Sequence, residues 1–165
     1  MDIKIVTAEP THGPSITALF NYYVANSYAA FPVEPVNEGF YHRLREQCDG
    51  LPFYVGLEGS QGVVAFAFLR RFYPSASFKP SAEVGIFIHP DYRGKGLGTR
   101  LSERLEAEAR RLGVETLLAK ISSFNEESLG FHSHRGFVRA GELKDIAEKA
   151  GRRFSVIWMQ KWLEG

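Results

Sequence analysis

The sequence predicts a three-layer α/β or α+β domain built on one principal sheet. Strand and helix patterns alternate through the second half, while strand patterns adjoin one another in the middle and at the end, which suits antiparallel neighbours. In addition, a glycine-rich run at 93–98 joins a near-continuous apolar strand to an amphipathic helix. The 165 residues suit one domain, read as 1–165. An apolar fraction of 44% with 13% aromatics is enough for a packed core and excludes disorder.

Residues 3–6 form the first expected strand. Ser15 precedes an apolar stretch at 16–31 that suits a helix, interrupted by Pro32 and Pro35. Asn37 caps a second expected helix running to Gln47, with Phe40, Tyr41 and Leu44 at helical spacing; Gly50 and Pro52 break it. Segments 53–57 and 63–68 read as a hairpin around the glycine turn at 59–62. An irregular connection at 70–80 leads to the central strand, 83–89, which Pro90 ends. The helix at 95–112 carries a stripe of Leu97, Leu101, Leu105 and Leu112, with Gly113 at its C-terminal stop. A strand at 116–121, a short helix at 125–134, and strands at 137–141 and 154–162 around a link containing Gly, Lys and Glu complete the chain.

Twenty Lys and Arg nearly cancel nineteen Asp and Glu. Without a bulk positive field, neither nucleic acid nor an anionic membrane is an expected partner, so any anion must be held locally. The single cysteine, Cys48, excludes an internal disulfide or a multi-cysteine zinc site and reads as a packed helix residue, not a nucleophile. His132 and His134 stand two apart, not at the i,i+4 spacing of a metal pair, so no metal site is expected. The N-terminus has no export pattern and no run approaches the ~20 apolar residues of a membrane helix. The cytoplasm is the expected compartment.

The chemistry centres on residues 86–99. Strand, glycine loop and helix together make an anion site: glycines allow close backbone approach, successive N–H groups form a nest, and the helix N-terminus adds partial positive charge. A P-loop needs Ser or Thr after Gly-Lys, but Gly96 follows Gly94-Lys95. A dinucleotide fingerprint needs G-x-G-x-x-G and an acidic residue at the end of the next strand, which instead ends in Lys120-Ile121. What remains is R-x-x-G-x-G at Arg93, Gly96 and Gly98. Downstream, Asn125, Ser128, His132, Gly136 and Phe137 spell N-x-x-S-x-x-x-H-x-x-x-G-F, with 125, 128 and 132 on one helical face.

These two motifs resemble the acetyl-CoA site of the GNAT N-acetyltransferase superfamily. The phosphinothricin and methionine sulfoximine acetyltransferase branch is similar over nearly the whole length, through residues 26–35, Ala82-Glu83, 125–137, Lys149-Ala150-Gly151-Arg152 and Met159-Gln160. The resemblance implies a central mixed, mostly antiparallel sheet flanked by helices, acetyl-CoA as donor, a small primary amine of amino-acid type as acceptor, and a homodimer. It places the pyrophosphate on Gly94, Lys95, Gly96, Leu97, Gly98 and Thr99 with help from Arg93. It runs the pantetheine beside Ile86, Phe87 and Ile88, where a backbone N–H polarises the thioester, and bonds it to the Asn125 amide.

Glu83, read by itself, is first a solvated or salt-bridged residue at a strand start; the resemblance reverses that and makes it the general base that takes the proton of the acceptor ammonium, directly or through water. His132 stands where many relatives carry a tyrosine that protonates the leaving thiolate, and it reads either as that donor or as a cofactor contact. Relatives often have R-x-A-Y ahead of the glutamate where this chain has Ser75-Ala76-Ser77-Phe78, and tryptophan and aspartate where it has Arg153 and Ser155. An altered acceptor pocket is therefore expected. Arg70 and Arg71 read as a carboxylate clamp or as an exposed basic pair; Phe31, Tyr28 and Phe78 read as pocket lining or as core. Acetylation of a protein or peptide amine, a non-catalytic acyl-CoA-binding module, and a nucleotide-dependent oxidoreductase on the same loop are the competing functions.

Overall fold

In a computed structural model that describes residues 2–164, seven strands form one sheet in the order β1-β2-β3-β4-β5-β7-β6. The strands are β1 (Ile3–Thr7), β2 (Phe53–Glu58), β3 (Gly62–Arg71), β4 (Ser81–Ile88), β5 (Thr116–Ser122), β6 (Val138–Lys149) and β7 (Arg152–Trp162). Helices α1 (Gly13–Asn26), α2 (Phe40–Cys48), α3 (Leu97–Arg111) and α4 (Glu126–His134) connect and cover them. Every neighbouring pair is antiparallel except β4 and β5. The expected mixed, mostly antiparallel sheet is the one observed.

That parallel pair creates the site. It extends only from Ser81 opposite Thr116 to Glu83 opposite Leu118, after which β4 stays paired with β3 and β5 with β7. A gap in the sheet therefore opens beyond Glu83.

Side-chain alternation gives the two faces different characters. Phe66, Phe68 and Arg70 on β3 lie opposite Phe87, Gly85 and Glu83 on β4. On this face, Phe66 and Phe87 stack at 5.1 Å, and Phe20 of α1 meets both Phe87 and Phe40 of α2. Gly85 is required there, because a Cβ would lie 2.2 Å from the Phe68 ring. On the opposite face a Cβ on Gly56 would touch Ala65 and Leu97, so small residues let α3 pack closely. Leu97, Leu101, Leu105 and Ala109 of α3 are buried. Leu112 is not: α3 ends at Arg111, and Leu112 is 40% exposed beyond the stripe.

Three expected segments differ. Helix α1 stops at Asn26 instead of reaching residue 31, because Ser27 is extended and its Oγ and N–H both return to the Tyr23 carbonyl. Helix α2 begins at Phe40, while Asn37 uses its Oδ1 to accept from the Gly39 N–H ahead of the helix. The link expected between the last strands is a long hairpin. Its register shifts near Gly141 and between Leu143 and Ala147, where Asp145 takes φ 51° and donates its N–H to Ser155 Oγ. Those shifts, and the exposure of most of β6, erase the alternation that signals a strand.

Candidate active site

The glycine loop takes backbone conformations that favour glycine. Gly94 and Gly96 have φ of +71° and +82°, in the left-handed region, and neither would meet a neighbour if it carried a Cβ. Backbone conformation is what demands glycine there. Gly98 is different: a Cβ would lie 3.1 Å from Phe131 and 3.3 Å from Ile88, so its role is close packing of α3 on α4 and β4. With Gly96 as the N-terminal cap, the first N–H groups of α3 lack intrahelical acceptors. Gly96, Gly98 and Thr99 line a cleft of about 470 Å³ together with Arg93, Gly94, Asn125 and Ile86 to Ile88.

Two loop residues lie elsewhere. The Leu97 side chain is buried in the core, and Lys95 Nζ donates to the Asp91 carbonyl over the Tyr92 ring. Neither side chain lines the cleft. Arg93 does, paired with Glu127 at 3.1 Å on its rim.

The β4 wall can be resolved further. His89 donates its N–H to the Val64 carbonyl, so strand alternation turns the backbone groups of Phe87 toward β3 and those of Ile86 and Ile88 toward the gap. The Ile88 carbonyl is taken by the hydroxyl of Tyr23, a cleft residue for which the sequence held no signal beyond its place in an apolar helix. Burial raises the Tyr23 pKa and so keeps that hydroxyl protonated.

Asn125 caps α4, accepting the Ser128 N–H on Oδ1 at 3.1 Å. Its amide nitrogen is left to donate to a ligand. Two turns on, His132 is buried, and its Nδ1 lies 2.8 Å from the Ser128 carbonyl, an oxygen that can only accept. In the neutral ring the proton is therefore on Nδ1, leaving Nε2 as an acceptor. Burial lowers the His132 pKa against the opposing effect of the hydrogen bond that the ring donates to the Ser128 carbonyl. The neutral state is favoured, and proton donation from Nε2 would require the disfavoured imidazolium.

A second cavity, about 330 Å³, lies on the aromatic face between Phe20, Phe31, Phe40 and Phe68. Glu83 is 7% exposed. Arg70, directly opposite on β3, donates Nε to its Oε2, and Lys120 Nζ stands 3.5 Å from Oε1. Two cations thus compensate one buried carboxylate. Arg70 also reaches Gln47 at 3.1 Å, and Lys120 lies over the rings of Phe31 and Trp158. Lys120 and the cavity residue Arg43 carried no motif, since Lys120 is brought to Glu83 only by the parallel β4–β5 pairing.

Of the other substrate candidates, Phe31 and Arg70 line this cavity, whereas Arg71 and Phe78 do not. Alternation sends Arg71 to the opposite face, beside Asp49 and the Lys79 carbonyl. Phe78 packs in an outer aromatic cluster with Phe72 and Tyr73. The variant positions Ser75, Arg153 and Ser155 also lie outside both cavities. The two cavities share Ala29 and Phe87. Cys48 is fully buried, and burial pushes its thiol up to about 11. It is unsuited to carry an acyl group.

Comparison with known proteins agrees with this arrangement. The signature of the acetyltransferase (GNAT) family matches residues 16–137. The L-methionine sulfoximine/L-methionine sulfone acetyltransferase of Pseudomonas paraeruginosa is 31% identical over 150 residues, covering 89% of this chain and 87% of that protein. The L-amino acid N-acyltransferase MnaT of Escherichia coli is 35% identical over 117 residues, covering 70% and 66%. The crystal structure of a phosphinothricin acetyltransferase from Sinorhizobium meliloti in complex with acetyl-CoA superposes with a TM-score of 0.91 at 27% identity, covering 99% of this chain and 89% of that one. The chain belongs to the GNAT acetyltransferase family and is an acetyl-CoA-dependent N-acetyltransferase.

Proposed function

We propose that the chain acetylates the primary amine of a small amino acid or amino-acid analogue by direct transfer in a ternary complex. The observation that carries this reading is the meeting of two cavities at Ala29 and Phe87, with one buried carboxylate, Glu83, in the acceptor cavity. An acceptor cavity of about 330 Å³ suits a small molecule better than a polypeptide. The relatives named for methionine sulfoximine and L-amino acids support the same class.

The first N–H groups of α3 and the loop at Gly94 and Gly96 hold the pyrophosphate, assisted by Arg93. Asn125 donates its amide to the pantetheine. The Ile86 or Ile88 N–H polarises the thioester carbonyl. Glu83 accepts the ammonium proton, so that a neutral amine attacks. The amide bond forms as the thioester bond breaks, and the thiolate is protonated from solvent. His132 serves as a neutral hydrogen-bonding contact beside the donor.

Coenzyme A release measured over a panel of amines tests the reading. Turnover is expected with small α-amino acids. Glu83→Gln should lower kcat by about 100-fold with little change in acetyl-CoA affinity; binding without release from any amine would refute it. The exposed apolar side chains of Val138, Leu143 and Ile146 on the edge strand β6, with Trp162, support a homodimer, which light scattering would test. The free thiol of Cys48 supports a reducing, cytoplasmic setting.

A further inference from the structure

Segment 27–30 follows the end of α1 and forms the wall common to both substrates. Ser27, Tyr28 and Ala29 line the donor cleft, and Ala29 and Ala30 the acceptor cavity. It has no regular secondary structure to hold it. Ser27 is tied locally to the Tyr23 carbonyl and the Ala29 N–H to Ser27 Oγ; the remaining hold on the segment comes from the far end of the chain.

Lys149, the last residue of β6, is 8% exposed. Its Nζ donates to the carbonyls of Ser27 at 2.8 Å and Ala30 at 2.7 Å, and the Tyr28 hydroxyl donates to the Lys149 carbonyl at 3.3 Å. No carboxylate among the described residues pairs with this ammonium, whose pKa burial lowers. A buried cation without a counter-ion costs stability unless its hydrogen bonds are well made, and both bonds that Nζ makes run to this segment. Ala150 and Gly151 then turn the chain at φ of 52° and 73°. Arg152 returns to lie 4.1 Å over Phe124 and 5.8 Å over Tyr28, both donor-cleft residues.

We propose that Lys149 is a positioning residue: from the tip of the β6–β7 hairpin it fixes, through the carbonyls of Ser27 and Ala30, the wall at which acetyl donor and amine acceptor meet. The proposal rests on acetyl transfer between the two cavities. A displaced wall would misalign the reacting atoms, and small misplacements cost up to about 100-fold in rate.

The test compares wild type with Lys149→Met, which keeps the stem and removes the donors. At a temperature well below the variant's Tm, kcat should fall at least tenfold and KM rise at least threefold for both acetyl-CoA and acceptor. Amide exchange should accelerate at 28–31 and remain unchanged in β3. Lys149→Arg, which keeps charge and donors, should recover part of the lost turnover. If kcat and both KM values stay within twofold while only Tm falls, Lys149 is merely structural and the proposal is overturned. If Lys149→Met does not fold, the same readings on Lys149→Gln decide it. If the wild type turns over no amine, the transfer reading fails, whereas exchange at 28–31 still reports separately on the staple.

Discussion

Glu83 shows how one side chain carries both folding and function here. Its carboxylate is buried between Arg70 and Lys120, so replacing it by glutamine leaves two cations undercompensated. Glu83→Gln should cost about 3 kcal/mol of stability besides its kinetic effect, measurable by urea unfolding. Cys48 makes the opposite case. With its thiol raised to about 11 and no exposure, it should react with a thiol reagent only after denaturation, and Cys48→Ala should leave kcat unchanged. His132 sets a pH dependence. Its folded pKa is lowered by burial among Ser128, Phe131 and Phe137, so the unfolded chain binds the proton more readily. Stability should be lost as pH falls below about 6.5 toward the folded pKa. Thermal melts from pH 7.5 to 5 would show this, and His132→Asn should flatten the slope. Asn125 and His132 stand out in the sequence because both sit in one spaced motif, whereas Glu83 is singled out only by the family resemblance. The sequence hid Tyr23, Lys120 and Lys149, because their partners lie 65, 37 and up to 122 positions away.

At the level of elements, the strand-loop-helix unit was readable because glycine spacing, an apolar strand and a leucine stripe all point to it. Its glycines nonetheless have separate duties. Gly96→Val forces a β-branched residue to φ +82° and disorders the loop, so KM for acetyl-CoA should rise more than tenfold while acceptor KM changes little; initial-rate kinetics with both substrates varied would test this. Gly85→Ala acts on the other cavity. The added methyl meets the Phe68 ring, at a cost of about 1–3 kcal/mol, and acceptor KM should rise while acetyl-CoA KM holds. The end of α1 and the course of β6 were less readable for different reasons. The first is set by Ser27, whose Oγ and N–H return to the Tyr23 carbonyl, and the second by the bond from the Asp145 N–H to Ser155 Oγ across the hairpin; each overrides the local periodicity.

For the molecule as a whole, local pattern gives the list of strands but not their order. That β7 inserts between β5 and β6 follows from packing that no window of sequence contains. Within that order, β4 and β5 are neighbours paired for only three residues, and the central sheet opens beyond them. Beyond Glu83 the strands face each other across unfilled rungs, so backbone groups that a continuous ladder would have satisfied are left for other partners, as the Ile88 carbonyl is for the Tyr23 hydroxyl. Ligand occupancy and folding are consequently linked. Acetyl-CoA at 100 times its Kd should stabilise the native state by about 2.7 kcal/mol and raise Tm accordingly. Because the gap interrupts the middle of the sheet and not its edge, that stabilisation should spread to amides of both β4 and β5, making the donor in effect a removable part of the protein's own scaffold.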